Sequence, residues 1–138
     1  MKKTQYGWVF FIVLFAINGL AFYERQATKD ILLVSTLSLV LLLLFFKLTF
    51  SVTDKYVKFS LGVGLIKGKY KFEDIISCKP LSYVPLGWGI RLKPGAILFN
   101  VSGNKAVELE VKNKKRKIWI GTNCPEELSK YINTKRMK

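Results

Sequence analysis

Hydrophobic and polar positions divide this chain into three regimes. Tyr6–Tyr23 runs without an ionisable side chain except its two terminal tyrosines, and Ile31–Phe46 contains none at all. Seven residues, Glu24-Arg25-Gln26-Ala27-Thr28-Lys29-Asp30, separate the two runs, and only Ala27 among them is apolar. From Leu48 the pattern changes to alternation, and near the carboxyl end it changes again to a three-four spacing. An 18-residue helix rises about 27 Å, close to the hydrocarbon thickness of a bilayer. The second run is shorter, but a lysine near a helix end can snorkel to the headgroups, so it extends across Lys47 to Phe50. In lipid both runs must close their own backbone hydrogen bonds, which requires helices. The pattern predicts a two-helix transmembrane hairpin within residues 1–47, with helices at about 6–23 and 31–50, followed by a domain over 48–138.

Two other readings address the same segment. Met1-Lys2-Lys3 before an apolar run resembles a secretory signal peptide, but no small-x-small cleavage site precedes the second run. A pair of buried helices in a soluble core would need more covering chain than the remaining charged, strand-like residues provide. Lysines flank both outer ends of the hairpin, whereas Glu24, Arg25, Lys29 and Asp30 cancel in the connection. The positive-inside rule then predicts a multi-pass protein of the cell membrane with both termini cytoplasmic. Asn18 falls at the depth of Ser35 and Ser38, and a buried amide in lipid needs a partner, so an interhelical contact is expected there.

After the apolar runs, Tyr56–Leu61 alternates with period two. Gly62-Val63-Gly64 turns the chain into Leu65–Phe72, where Lys67, Lys69 and Lys71 share one face and Ile66, Tyr70 and Phe72 the other. Asp74–Pro80 starts another strand. Ala96–Val101 and Ala106–Val111 read as a hairpin joined at Ser102-Gly103-Asn104-Lys105. Lys112-Asn113-Lys114-Lys115-Arg116-Lys117 is a charged turn leading into Ile118–Gly121. About seven antiparallel strands result. Pro125 suits a first helical position, acidic Glu126 and Glu127 follow it, and Leu128, Tyr131 and Ile132 form a stripe that would dock on the sheet.

Charge narrows the partners. Residues 47–138 hold 19 of the chain's 23 Lys+Arg and 7 of its 9 Asp+Glu, a net +12 of +14. A basic domain tethered to a membrane finds its obvious partner in anionic phospholipid of the bilayer. Nucleic acid is the other generic partner, but aromatics interleave poorly with the basic turn, which argues against single strands. The chain has no histidine, the commonest general base and metal ligand. Cys78 and Cys124 are 46 residues apart with no Cys-x-x-Cys unit, so no metal, redox or other cofactor site is expected. Glu73-Asp74 lacks a histidine or nucleophile beside it, and no enzyme is expected.

Phe72-Glu73-Asp74-Ile75, Gly87-Trp88-Gly89-Ile90-Arg91, Asn100-Val101-Ser102-Gly103, Ala106-Val107-Glu108-Leu109 and Ile120-Gly121-Thr122 through Pro125-Glu126-Glu127-Leu128 occur in that order in bacterial pleckstrin-homology-like (PH-like) domain membrane proteins. The chain resembles that family in layout throughout and in motif over residues 72–132. The resemblance implies a membrane helical hairpin joined to a bent seven-stranded antiparallel barrel, capped by a C-terminal helix. It implies no activity. Cys124 departs from the family's usual acidic residue before the helix proline, and cysteine caps helices poorly. Asn123 is the expected substitute.

The candidate lipid-binding residues are therefore Lys67, Lys69 and Lys71 on one strand face, with Lys112, Lys114, Lys115, Arg116 and Lys117 in the turn. Lysines on a strand's outer face also discourage edge-to-edge pairing, and a lysine-rich turn is also a solvated one. Gly87-Trp88-Gly89 fits a binding loop, and equally a tight bend whose tryptophan fills the core. Two functions follow: a membrane-anchored binding module contacting anionic lipid or a protein partner, or an accessory subunit docked on another membrane protein.

Overall fold

A computed structural model describes residues 1–24, 27–84 and 89–138. Two helices, α1 (Trp8–Tyr23) and α2 (Thr28–Phe45), pack against each other, and among the described residues nine strands form two sheets. The first sheet orders β1 (Lys2–Tyr6), β2 (Lys47–Val52), β3 (Tyr56–Leu61) and β4 (Ile66–Lys71) in sequence, all antiparallel. The second holds β5 (Ile75–Ser82), β6 (Gly89–Lys93), β7 (Ala96–Asn100), β8 (Lys105–Val111) and β9 (Lys117–Gly121), ordered β5-β8-β9-β7-β6. A last helix, α3 (Pro125–Arg136), closes the structure.

Alternation builds the core. Leu48, Phe50 and Val52 of β2 face Val57, Phe59 and Leu61 of β3, and Val107, Leu109, Ile118 and Ile120 meet them from the second sheet. The ring of Phe59 lies over Gly68, where a Cβ would fall 2.4 Å from it, and it packs on Phe99 with centroids 4.6 Å apart. On α3, Leu128 and Ile132 are fully buried and Tyr131 is partly so. Ser129 Oγ and Asn133 Nδ2 both donate to the Cys78 carbonyl, at 2.9 and 3.0 Å, and fix the helix on β5.

Four expectations change. Residues 2–6 are the edge strand of the first sheet, with Tyr6 opposite Lys47, so the domain draws chain from both sides of the helix pair. The second helix ends at Phe45 rather than 50, because Leu48 and Phe50 alternate into the core at 1% and 2% exposure. There are nine strands among the described residues rather than about seven. Finally, β7 and β8 are not a hairpin: β9 lies between them, antiparallel to β8 and parallel to β7. Asn100 Oδ1 accepts from the Ser102 amide at 3.0 Å and Gly103 takes φ +73°, which makes a broad loop instead of a tight turn.

Candidate functional site

The outer surface of β1–β4 is built by strand geometry from side chains that alternate with the core. Its rows run Lys2, Ser51, Lys58, Lys69 and then Thr4, Thr49, Ser60, Lys67 across the four strands. None of these four strands contains an aspartate or glutamate. Lys58 and Lys69 stand directly opposite each other, a placement of like charges that ordinarily destabilises a sheet. The Lys69 ammonium sits 3.8 Å from the centre of the Tyr56 ring, and Thr4 and Thr49 share a hydroxyl contact at 3.4 Å. Ion pairs among the described residues join Lys3 to Glu127, Lys117 to Glu108 and Lys135 to Asp54, and none reaches this face. A groove of about 900 Å³ runs over it, lined by Lys2, Lys58, Lys67 and Lys69 together with Thr49, Ser51, Ser60 and Tyr56.

Lys67, Lys69 and Lys71 are exposed on one face of β4. Lys2 and Lys58 share that face, although the sequence does not nominate either for lipid binding. Lys58 sits singly in an alternating strand, and only the strand pairing places it beside Lys69.

Lys112, Lys114, Lys115, Arg116 and Lys117 are also exposed, but they lie elsewhere. The helix pair leaves the domain where the Gly7 amide donates to the Phe46 carbonyl at 2.8 Å, and a Cβ on Gly7 would lie 3.2 Å from the Val101 carbonyl. The Lys117 amide donates to Gly95 at 2.9 Å, at the opposite end of β7. The six residue steps of extended chain from Gly95 to Val101 span roughly 20 Å. The basic turn thus sits at the end of the strands away from the helices, not beneath them. Lys117 is moreover engaged: Glu108 accepts from it at 3.1 Å and from Trp119 Nε1 at 2.8 Å, and that carboxylate raises the lysine's pKa. Lys114, Lys115 and Arg116 border a separate cleft of about 280 Å³ with Tyr70, Ile97, Phe99 and Ile118.

The β3–β4 turn lies at the helix end. Gly62 donates to the Lys47 carbonyl at 2.7 Å and Val63 to the Leu43 carbonyl at 3.0 Å, so the turn packs on the last turn of α2. Val63 and Leu65 project there, 57% and 76% exposed.

Between the helices, Asn18 Nδ2 donates to Ser38 Oγ at 3.0 Å, and Ser35 Oγ donates to Asn18 Oδ1 at 2.9 Å. The structure brings these three residues together. Gly87 and Trp88 lie outside the described residues. Cys124 is the N-cap of α3 without a side-chain capping bond, and Asn123 does not replace it, because its Oδ1 accepts from Gln5 at 2.8 Å. Burial pushes the Cys78 thiol up to about 11, so it carries little thiolate near neutrality. No group of three or more metal-ligating side chains occurs among the described residues. Comparison with protein-family models and with curated proteins finds no match.

Proposed function

We propose that this protein is a membrane-anchored binding module, a PH-like domain held by a helical hairpin against the cytoplasmic leaflet of a cell membrane, where it contacts anionic lipid. The observation that carries this reading is the pair α1 and α2, apolar on all sides and left uncovered by the rest of the chain. Phe15 is 83% exposed and Leu33 69%, and no residue of α2 is buried. Exposed apolar surface on this scale marks an interaction with membrane or protein. By length and composition α2, at 18 residues, is a candidate span, while α1 is shorter at 16. The Asn18–Ser35–Ser38 bonds satisfy the polar groups between the two helices, as lipid would demand. A strand-based attachment on both sides of the pair leaves no flexible linker, which keeps the domain at the surface.

An alkaline carbonate wash of membranes from cells making the full chain tests the anchor. Retention in the membrane fraction is expected, and release into the supernatant would overturn it. A stoichiometric protein partner that survives mild-detergent purification would instead favour the accessory-subunit reading.

A further inference from the structure

We propose that the groove on the outer face of β1–β4 holds the phosphate of one anionic glycerophospholipid, whose acyl chains pass Val63 and Leu65 into the bilayer. This rests on the membrane reading above and names the ligand of that domain.

Chemistry and position agree. Lys2, Lys58, Lys67 and Lys69 line the groove with the hydroxyls of Thr49, Ser51 and Ser60. Ammonium and hydroxyl groups all donate hydrogen bonds, and a phosphate oxygen accepts several at once. Lys58 and Lys69 are directly opposed in the sheet, and an anion between them would offset the cost of pairing like charges. Glu108 and Glu110 instead sit on the second sheet, where Lys117 and Ser77 engage them. A volume of about 900 Å³ is ample for a headgroup. The groove's rim at Val63 and Gly64 is the turn that packs on the end of α2. If α2 spans the bilayer, this turn lies at headgroup depth. The Ser60–Lys67 pair is one step along the strands from the Leu61–Ile66 pair that closes the turn, roughly 3.3 Å. That is well inside the ~8 Å screening length, and the Lys58–Lys69 pair, three steps from the turn at roughly 10 Å, lies near its limit, whereas the Lys112–Lys117 turn, about 20 Å away, is far outside it.

The test uses full-length protein in mild detergent, incubated with phosphatidylglycerol or with phosphatidylcholine, and counts retained lipid by native mass spectrometry. Both lipids carry the phosphodiester, but choline adds a fixed cation that the lysines repel. Wild type should retain one phosphatidylglycerol at least tenfold over phosphatidylcholine. The Lys58→Thr/Lys69→Thr variant should lose that preference at least fivefold, while Lys114→Ser/Lys115→Ser/Arg116→Ser keeps it. The threonine variant removes a repulsive pair together with the Lys69–Tyr56 ring contact, and a cooperative melt close to that of wild type separates lost binding from lost fold. Equal retention of the two lipids, or wild-type retention by the threonine variant, overturns the proposal. Displacement of the lipid by millimolar inorganic phosphate also overturns it and reassigns the groove to a soluble phosphate ligand. A carbonate wash on the same preparation distinguishes failures: release from the membrane sinks the anchor, whereas retention without lipid preference sinks only the groove.

Discussion

At the scale of single residues, the junction between helices and sheet depends on Gly62. Its φ is +55°, and a Cβ there would fall 2.0 Å from the Leu43 carbonyl oxygen and 2.4 Å from that of Leu44. Both obstacles are backbone, so neither can swing aside. Gly64 also has positive φ, at +96°, but nothing lies within 4 Å of its added Cβ. Gly64→Ala should therefore bring only conformational strain, about 1–3 kcal/mol. Gly62→Ala adds a clash with a fixed helix end and should cost more than about 4 kcal/mol, or prevent folding. Denaturant melts of the two full-length variants check the difference, and equal costs would mean that the turn does not seat on α2. From sequence, Gly62-Val63-Gly64 reads only as a turn. Its contact with α2 is invisible there, because Leu43 is nineteen residues away and nothing local encodes the pairing. The polar contact of Asn18 was legible for the opposite reason: a lone amide in an apolar run has few partners at its own depth.

Elements show where pattern reading loses its grip. In β1, Lys3 and Gln5 share the face of Phe50 and Leu48, but Lys3 stays exposed and pairs with Glu127 at 3.5 Å, while Gln5 is buried and bonded to Asn123. Lys2, Thr4 and Tyr6 face outward, so Lys2-Lys3-Thr4-Gln5-Tyr6 presents no hydrophobic period and does not announce a strand. The same ambiguity moved the end of α2, because Leu48 and Phe50 continue an apolar run whether the backbone is helical or extended. The β7–β8 error differs in kind: alternation fixes which side chains go inward and is silent about which strand lies beside which. The strand pairing makes a direct test possible. Tyr6 stands opposite Lys47, so residues 7–46 are replaceable by Asn-Gly, the two-residue link that suits an antiparallel hairpin. That fusion should be soluble and cooperatively folded. A chain beginning at Lys47 should be less stable and prone to association, because β2 becomes an unprotected edge. Thermal melts and sedimentation of the two proteins check this, and equal behaviour would make β1 dispensable.

For the molecule as a whole, the strand pairing constrains topology before charge is considered. Lys2–Tyr6 and Lys47–Val52 are hydrogen-bonded neighbours in one sheet, so the chain must leave and re-enter the domain on the same side of any membrane it crosses. On the membrane reading, the connection near residue 27 then lies opposite both the amino terminus and α3. Charge decides which side is which. Lys2 and Lys3 lie before the first helix, Lys47 follows the second, and the connection is net neutral, so on that reading the positive-inside rule predicts a cytoplasmic domain. Enzymatic reporters that act on only one side of the membrane, inserted at residue 27 and fused after Lys138, should give opposite readouts. Matching readouts would mean a single crossing or none, which a sheet shared by β1 and β2 does not permit with α1 and α2 both embedded. Replacing Lys2 and Lys3 with glutamine should leave the orientation unchanged, because Lys47, Lys55 and Lys58 still follow the end of α2 and the rule counts basic residues within about 15–20 positions of a helix end. If that change alone inverts the protein, the amino-terminal lysines set its topology, and the groove lysines on β3 and β4 contribute nothing to the choice.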